Sequence, residues 1–62
     1  MSSNIPNFKD QNGKTIYQRT IVAALTNAVY ADKTRCEVDG EVINILSSKR
    51  DKTSWDVVVA FE

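Results

Sequence analysis

A small α+β domain, one helix packed on a small antiparallel sheet in the order arm-α-β-β-β, is the fold this sequence predicts. Three stretches predict it. Trp55-Asp56-Val57-Val58-Val59-Ala60-Phe61 alternates Trp55, Val57, Val59 and Phe61 on one side, with valines suited to a pleated surface. Tyr17, Ile21, Leu25 and Ala28 recur at helical spacing and form one apolar stripe. Asp39-Gly40 sits between two apolar runs, which is a strong two-residue hairpin signal.

The elements follow in order. Residues 1–14 read as an N-terminal arm or loop, separate from a single α+β domain over 15–62. Ser, Asn, Gln and Pro dominate the arm, and only Ile5 and Phe8 are apolar enough to anchor it. Pro6 disfavours helix at Ile5, and Asn12-Gly13 is a turn signal. A hairpin of Asn7–Gln11 with Lys14–Arg19 is conceivable, but the helical pattern that follows argues against it. Thr15 and Gln18 have the spacing of a capping box, so the helix is placed at 16–30. Ala24 widens the stripe on one flank, Val22 and Val29 on the other. The apolar arc spans about 160°, more than the roughly 100° one packing face needs. The extra width is either core or a contact for a second subunit.

Residues 34–46 admit two parses. One is a hairpin with strands 34–38 and 41–46, pairing Cys36 with Ile43; the other is one long strand with a bulge at Gly40. The hairpin is favoured. A polar turn over Ser47–Thr53 leads to the last strand, 54–61. Placing Ile45 opposite Trp55 and Ile43 opposite Val57 gathers Cys36, Ile43, Ile45, Trp55, Val57, Val59 and Phe61 on one face, to receive the helix. The other face then carries Arg35, Glu37, Asn44 and Asp56, together with Val42, Leu46, Val58 and Ala60. A sheet face meant only for water should not hold those four apolar residues. Either the arm covers them through Ile5 and Phe8, or a partner does.

Composition excludes much. Sixty-two residues make one domain with a small core and an expected stability of about 3–9 kcal/mol. Eight basic and eight acidic residues balance, unlike a dedicated non-specific nucleic-acid binder. Cys36 is the single cysteine and there is no histidine. An intrachain disulfide and a His-based nucleophile are therefore excluded, and the usual zinc ligand set is missing. The first residues, Met1-Ser2-Ser3-Asn4-Ile5-Pro6, lack the basic and apolar regions of a signal peptide, and no apolar run approaches the roughly 18 residues of a membrane span. A reducing cytoplasmic setting is the expectation.

The chemistry-bearing clusters are few. Glu37, Asp39 and Glu41 gather at the Asp-Gly turn, where a solvated acidic turn is the simplest reading. Gly13-Lys14-Thr15 resembles the end of a P-loop but lacks its upstream glycine. Cys36 reads as a small inward hydrophobe. No catalytic set, cofactor site or metal site emerges, so the chain is expected not to be an enzyme. The expected function is that of a small accessory or inhibitor-type protein-interaction module. It would bind a protein partner through Val42, Leu46, Val58 and Ala60, and form a homodimer through that face or the last strand. The alternative is a nucleic-acid-binding protein that contacts phosphates with Lys49, Arg50 and Lys52 at a basic hairpin tip.

Overall fold

The structure, a computed structural model, describes residues 5–62; expectations about the first four residues lie outside the described residues. The elements are β1 (Asn7–Lys9), α1 (Arg19–Tyr30), β2 (Arg35–Val38), β3 (Glu41–Arg50) and β4 (Trp55–Phe61). The expected α+β class and the order helix then three strands are both present. The arm adds something unforeseen. Part of it is a strand, β1, lying parallel to β4 with Asn7, Phe8 and Lys9 beside Asp56, Val57 and Val58. The sheet is therefore mixed and four-stranded, in the order β1-β4-β3-β2. Because β4 and β3, like β3 and β2, are antiparallel, β2 runs in the same direction as β1. The helix makes the crossover between them, as parallel strands require.

Phe8 explains why so short a strand is ordered. It is 2% exposed and belongs to the core with Leu25, Val29, Val38, Ile43, Trp55, Val57 and Val59. At about 25 cal/mol per Å², burying one such ring is worth about 2–3 kcal/mol, a large share for a domain of this size. Ile5, by contrast, is 67% exposed. The arm therefore adds to the sheet edge and to the helix-side core; its described residues do not cover the second face. A reduced form of the arm hairpin also exists. Lys9 bridges Thr15, and the Asp10 carboxylate accepts from the backbone N–H of Asn12 and Lys14 (both 2.9 Å).

That hairpin overturns the expected capping box. The Ile16 N–H donates to Phe8 C=O (2.8 Å), which holds 15–18 extended. Gln18, not Thr15, is the N-cap, and it makes no side-chain cap hydrogen bond. Tyr17 consequently leaves the helical stripe and is 85% exposed. The buried helix residues are Leu25, Ala28 and Val29, while Ile21, Val22 and Ala24 pack partly buried against the core. The broad apolar arc is thus core. At the C-terminal end, Lys33 N–H donates to Ala28 C=O and Asp32 N–H to Val29 C=O, a Schellman motif with Asp32 at φ 58° in the left-handed position.

The Asp39-Gly40 hairpin is present, with Cys36 opposite Ile43 as expected. Both turn residues have positive φ, 52° and 81°, as a type I′ turn demands. A Cβ at Gly40 would meet nothing within 4 Å, so its penalty is conformational. Gly40→Ala is expected to lower stability by about 1–2 kcal/mol, measured by urea denaturation followed through Trp55 fluorescence.

β3 departs most from expectation. It runs to Arg50 rather than to 46, and the turn shrinks accordingly, closed by Asp51 N–H to Ser54 C=O (2.6 Å). Ile43 faces Phe61 and Ile45 faces Val59, four residues along β4 from the expected partners Val57 and Trp55. A shift of four is even, so sidedness is kept, but Phe61, expected in the core, is 39% exposed at the end of β4 and does not join it. Between Ile45 and Ser47 the register slips by one, a bulge at Leu46 that reverses the alternation beyond it. Ser48 and Arg50 therefore share the helix side with their partners Val57 and Trp55.

Candidate binding face

With α1 on one side, the other side of the sheet is formed by the residues that alternate away from the core. On β4 these are Asp56, Val58 and Ala60, between the buried Trp55, Val57 and Val59. Register adds Asn7 and Lys9 from β1, Asn44, Ser47 and Lys49 from β3, and Arg35 and Glu37 from β2, with Val42 opposite Glu37. Among the described residues, no helix or strand lies across this face. Val42, Val58 and Ala60 are partly buried by their neighbours in the sheet. Of the four apolar residues expected here, these three are brought onto one face. Leu46 stands in the bulge without a cross-strand partner and is 52% exposed.

Charges surround the apolar positions. Lys9 lies beside Val58 and Lys49 faces Asp56. Asn44 Nδ2 donates to Glu62 Oε2 (3.4 Å), and Arg35 faces Asn44. The face is thus a small apolar centre with a rim of both signs, which is the composition of a protein-docking surface rather than of a phosphate track. The strand expected to mediate dimerisation is not free to do so in its middle. β4 lies between β1 and β3, so its edges over Asp56–Val58 are both taken.

The basic tip is divided. Lys49 projects with the open face. Arg50 turns to the helix side, its guanidinium carbon 4.4 Å from the Trp55 ring centroid. Lys52 stays in the turn, its N–H donating to Asp51 Oδ1 (2.8 Å). The three cations are not presented on one side, because β3 runs on through Arg50 and consecutive strand residues point to opposite faces. Trp55 is 4% exposed, its indole N–H donates to Ser48 Oγ (2.8 Å), and Tyr30 meets it edge-on at 5.2 Å. The Tyr30 contact joins the end of α1 to the start of β4, while the Ser48 and Arg50 contacts depend on the register of β3.

Cys36 points to the helix side, half-buried. Burial pushes its thiol above the ordinary range, partly offset by the Lys33 ammonium. The neutral thiol is thus favoured, contrary to what a nucleophilic cysteine needs. Among the described residues no three His, Cys, Asp or Glu side chains cluster to hold a metal ion, and no helix is long and apolar enough to cross a membrane. Comparison with known proteins finds no matching family model, no matching curated protein and no matching solved structure.

Proposed function

We propose that this chain acts by binding a protein partner through the open side of its sheet, as an accessory or inhibitor-type module without catalysis of its own. The observation that supports this is Val42, Val58 and Ala60 sharing a face that no described element covers, with Leu46 exposed at the bulge beside it. Burying such a centre while a mixed-charge rim sets orientation is how small docking surfaces gain affinity and specificity. The divided cations weigh against the nucleic-acid alternative, since one of them is stacked on an indole.

The test is capture of binding partners from native lysate, treated with nuclease, using the tagged chain and its Val58→Glu variant. A glutamate at 58 lies beside Lys9, so the sheet tolerates it while the apolar centre is lost. One stoichiometric protein held by the native chain and lost with Val58→Glu is the expected result. Equal capture by both would refute the face. Nucleic acid recovered without nuclease, and lost from a Lys49→Ala/Lys52→Ala variant, would instead establish the alternative; Arg50 is left in place because Trp55 depends on it.

A further inference from the structure

β2 is an edge strand, and no strand lies beyond it among the described residues. Its outward hydrogen-bonding groups can be identified. The Ile45 N–H donates to Thr34 C=O (2.8 Å), and Cys36 faces Ile43 in the same ladder. In an antiparallel pair the bonded positions alternate, so residues 34, 36 and 38 aim their N–H and C=O at β3. Arg35 and Glu37 aim theirs outward. Both side chains are exposed. A groove of about 620 Å³ runs along this edge, closed on its far side by Ala24, Asn27 and Ala28 of α1. The small side chains there leave room for more backbone.

The charges along the edge are antisymmetric about Cys36. Lys33 and Arg35 precede it; Glu37 and Asp39 follow it. Charged residues on an edge usually prevent strand pairing. Here they oppose every self-pairing but one. A two-fold pair that uses the outward groups must be centred on residue 35, 36 or 37. Centring on 35 puts Arg35 against itself, and centring on 37 puts Glu37 against itself; like charges directly opposite are destabilising. Centring on Cys36 puts Arg35 opposite Glu37 of the second copy, twice, and sets no like charges of β2 against each other. The same register lets Arg35 and Glu37 exchange both backbone hydrogen bonds with their opposites, because both are outward residues.

From this we infer that two copies of this chain join antiparallel through β2, centred on Cys36, into one continuous sheet of twice the four strands. The pairing is isologous and keeps both helices on the same side. It also sets the two open faces next to each other, so that Val42 of each copy, one strand in from the junction, flanks the seam. This inference does not depend on the partner proposed above.

Sedimentation of the purified, reduced chain from about 10 µM to about 1 mM tests it, with Arg35→Glu and Glu37→Lys made separately. Their intrachain neighbours across the ladder, Asn44 and Val42, are uncharged; each change does set like charges at 35 and 37 within one copy, so circular dichroism of each variant alone checks that it stays folded. The native chain is expected to shift from monomer to dimer over the range. Each variant alone, which meets like charges twice, is expected to dimerise at least about tenfold more weakly. An equimolar mixture of the two variants restores every opposite-charge pair and is expected to dimerise like the native chain. A native chain monomeric at about 1 mM, variants unchanged, or a mixture without recovery would each overturn the inference.

A second measurement needs no charge variant. The two Cys36 residues would be a non-hydrogen-bonded pair with Cα atoms about 4.5 Å apart, within disulfide range. Diamide, itself reduced to the hydrazine by the two thiol hydrogens, is expected to trap a Cys36–Cys36 dimer in proportion to the dimer present, and less at about 1 M salt. Trapping that ignores salt and concentration would contradict the pairing. Val58→Glu leaves this dimer intact, so loss of the open-face reading and loss of the β2 pairing are separately visible.

Discussion

Phe8→Ala is expected to lower stability by about 3–5 kcal/mol, against a total of about 3–9 kcal/mol for a chain of this length. That change leaves the domain at the edge of unfolding at 25 °C, although the residue lies in a strand of only three residues. The reason is placement. Phe8 is 2% exposed and packs in the same cluster as Leu25, Val57 and Val59, so truncation leaves a void bounded by both the helix and the central strand. Ile5→Ala supplies the contrast. Ile5 is 67% exposed, and its loss is expected to cost less than about 0.5 kcal/mol. Urea denaturation of the two variants measures both. Equal, small effects would mean that β1 is an accessory to the fold and not part of its core.

Trp55→Ala is expected to be as damaging, by about 3–5 kcal/mol, and its causes can be separated. Trp55 fills the helix side of the sheet at 4% exposure, with Tyr30 against its edge, Arg50 over its face and Ser48 accepting its N–H. Ser48→Ala removes the acceptor and is expected to cost about 1–3 kcal/mol if the N–H stays dry. Arg50→Ala removes a cation–π contact worth about 0.5–1 kcal/mol at an exposed site and uncovers one ring face. As Trp55 is the single tryptophan, its emission should move to the red in Arg50→Ala while circular dichroism stays native. An unshifted spectrum would show that Arg50 does not shield the ring.

What could be foreseen was what depends on local pattern. The Asp39-Gly40 turn imposes the Cys36–Ile43 pairing through its own backbone geometry, and that pairing is present. Alternation along β4 placed Trp55, Val57 and Val59 inward, as they are. The misplacements share one cause: contacts between distant parts of the chain. Thr15 and Gln18 have the residue types of a capping box, but the hydrogen bond from Ile16 to Phe8 competes for the same stretch, and β1 holds its position only because β4 is beside it. The bulge at Leu46 has no turn residue to announce it, so which of Lys49 and Arg50 faces the helix was not legible; their separation follows from β3 running on to Arg50. The sidedness of Val42, Val58 and Ala60 was more legible than the register, since a shift of four residues preserves it; Leu46, within the bulge, lost its assigned place.

The strand that fills the centre of this sheet is the last to appear along the chain. β2 and β3 are neighbours in sequence and can pair around their tight turn within microseconds, as isolated hairpins do. β1, though first in order, has no neighbour until β4 arrives, for its partner Asp56 lies 49 residues beyond Asn7. Closing that long loop, rather than forming the helix or the hairpin, is the slow step that contact order assigns to such a topology. Until Trp55–Phe61 docks, β3 has an unpaired edge and β1 has no partner. Docking of Trp55–Phe61 completes both neighbours at once, because β4 lies between β1 and β3.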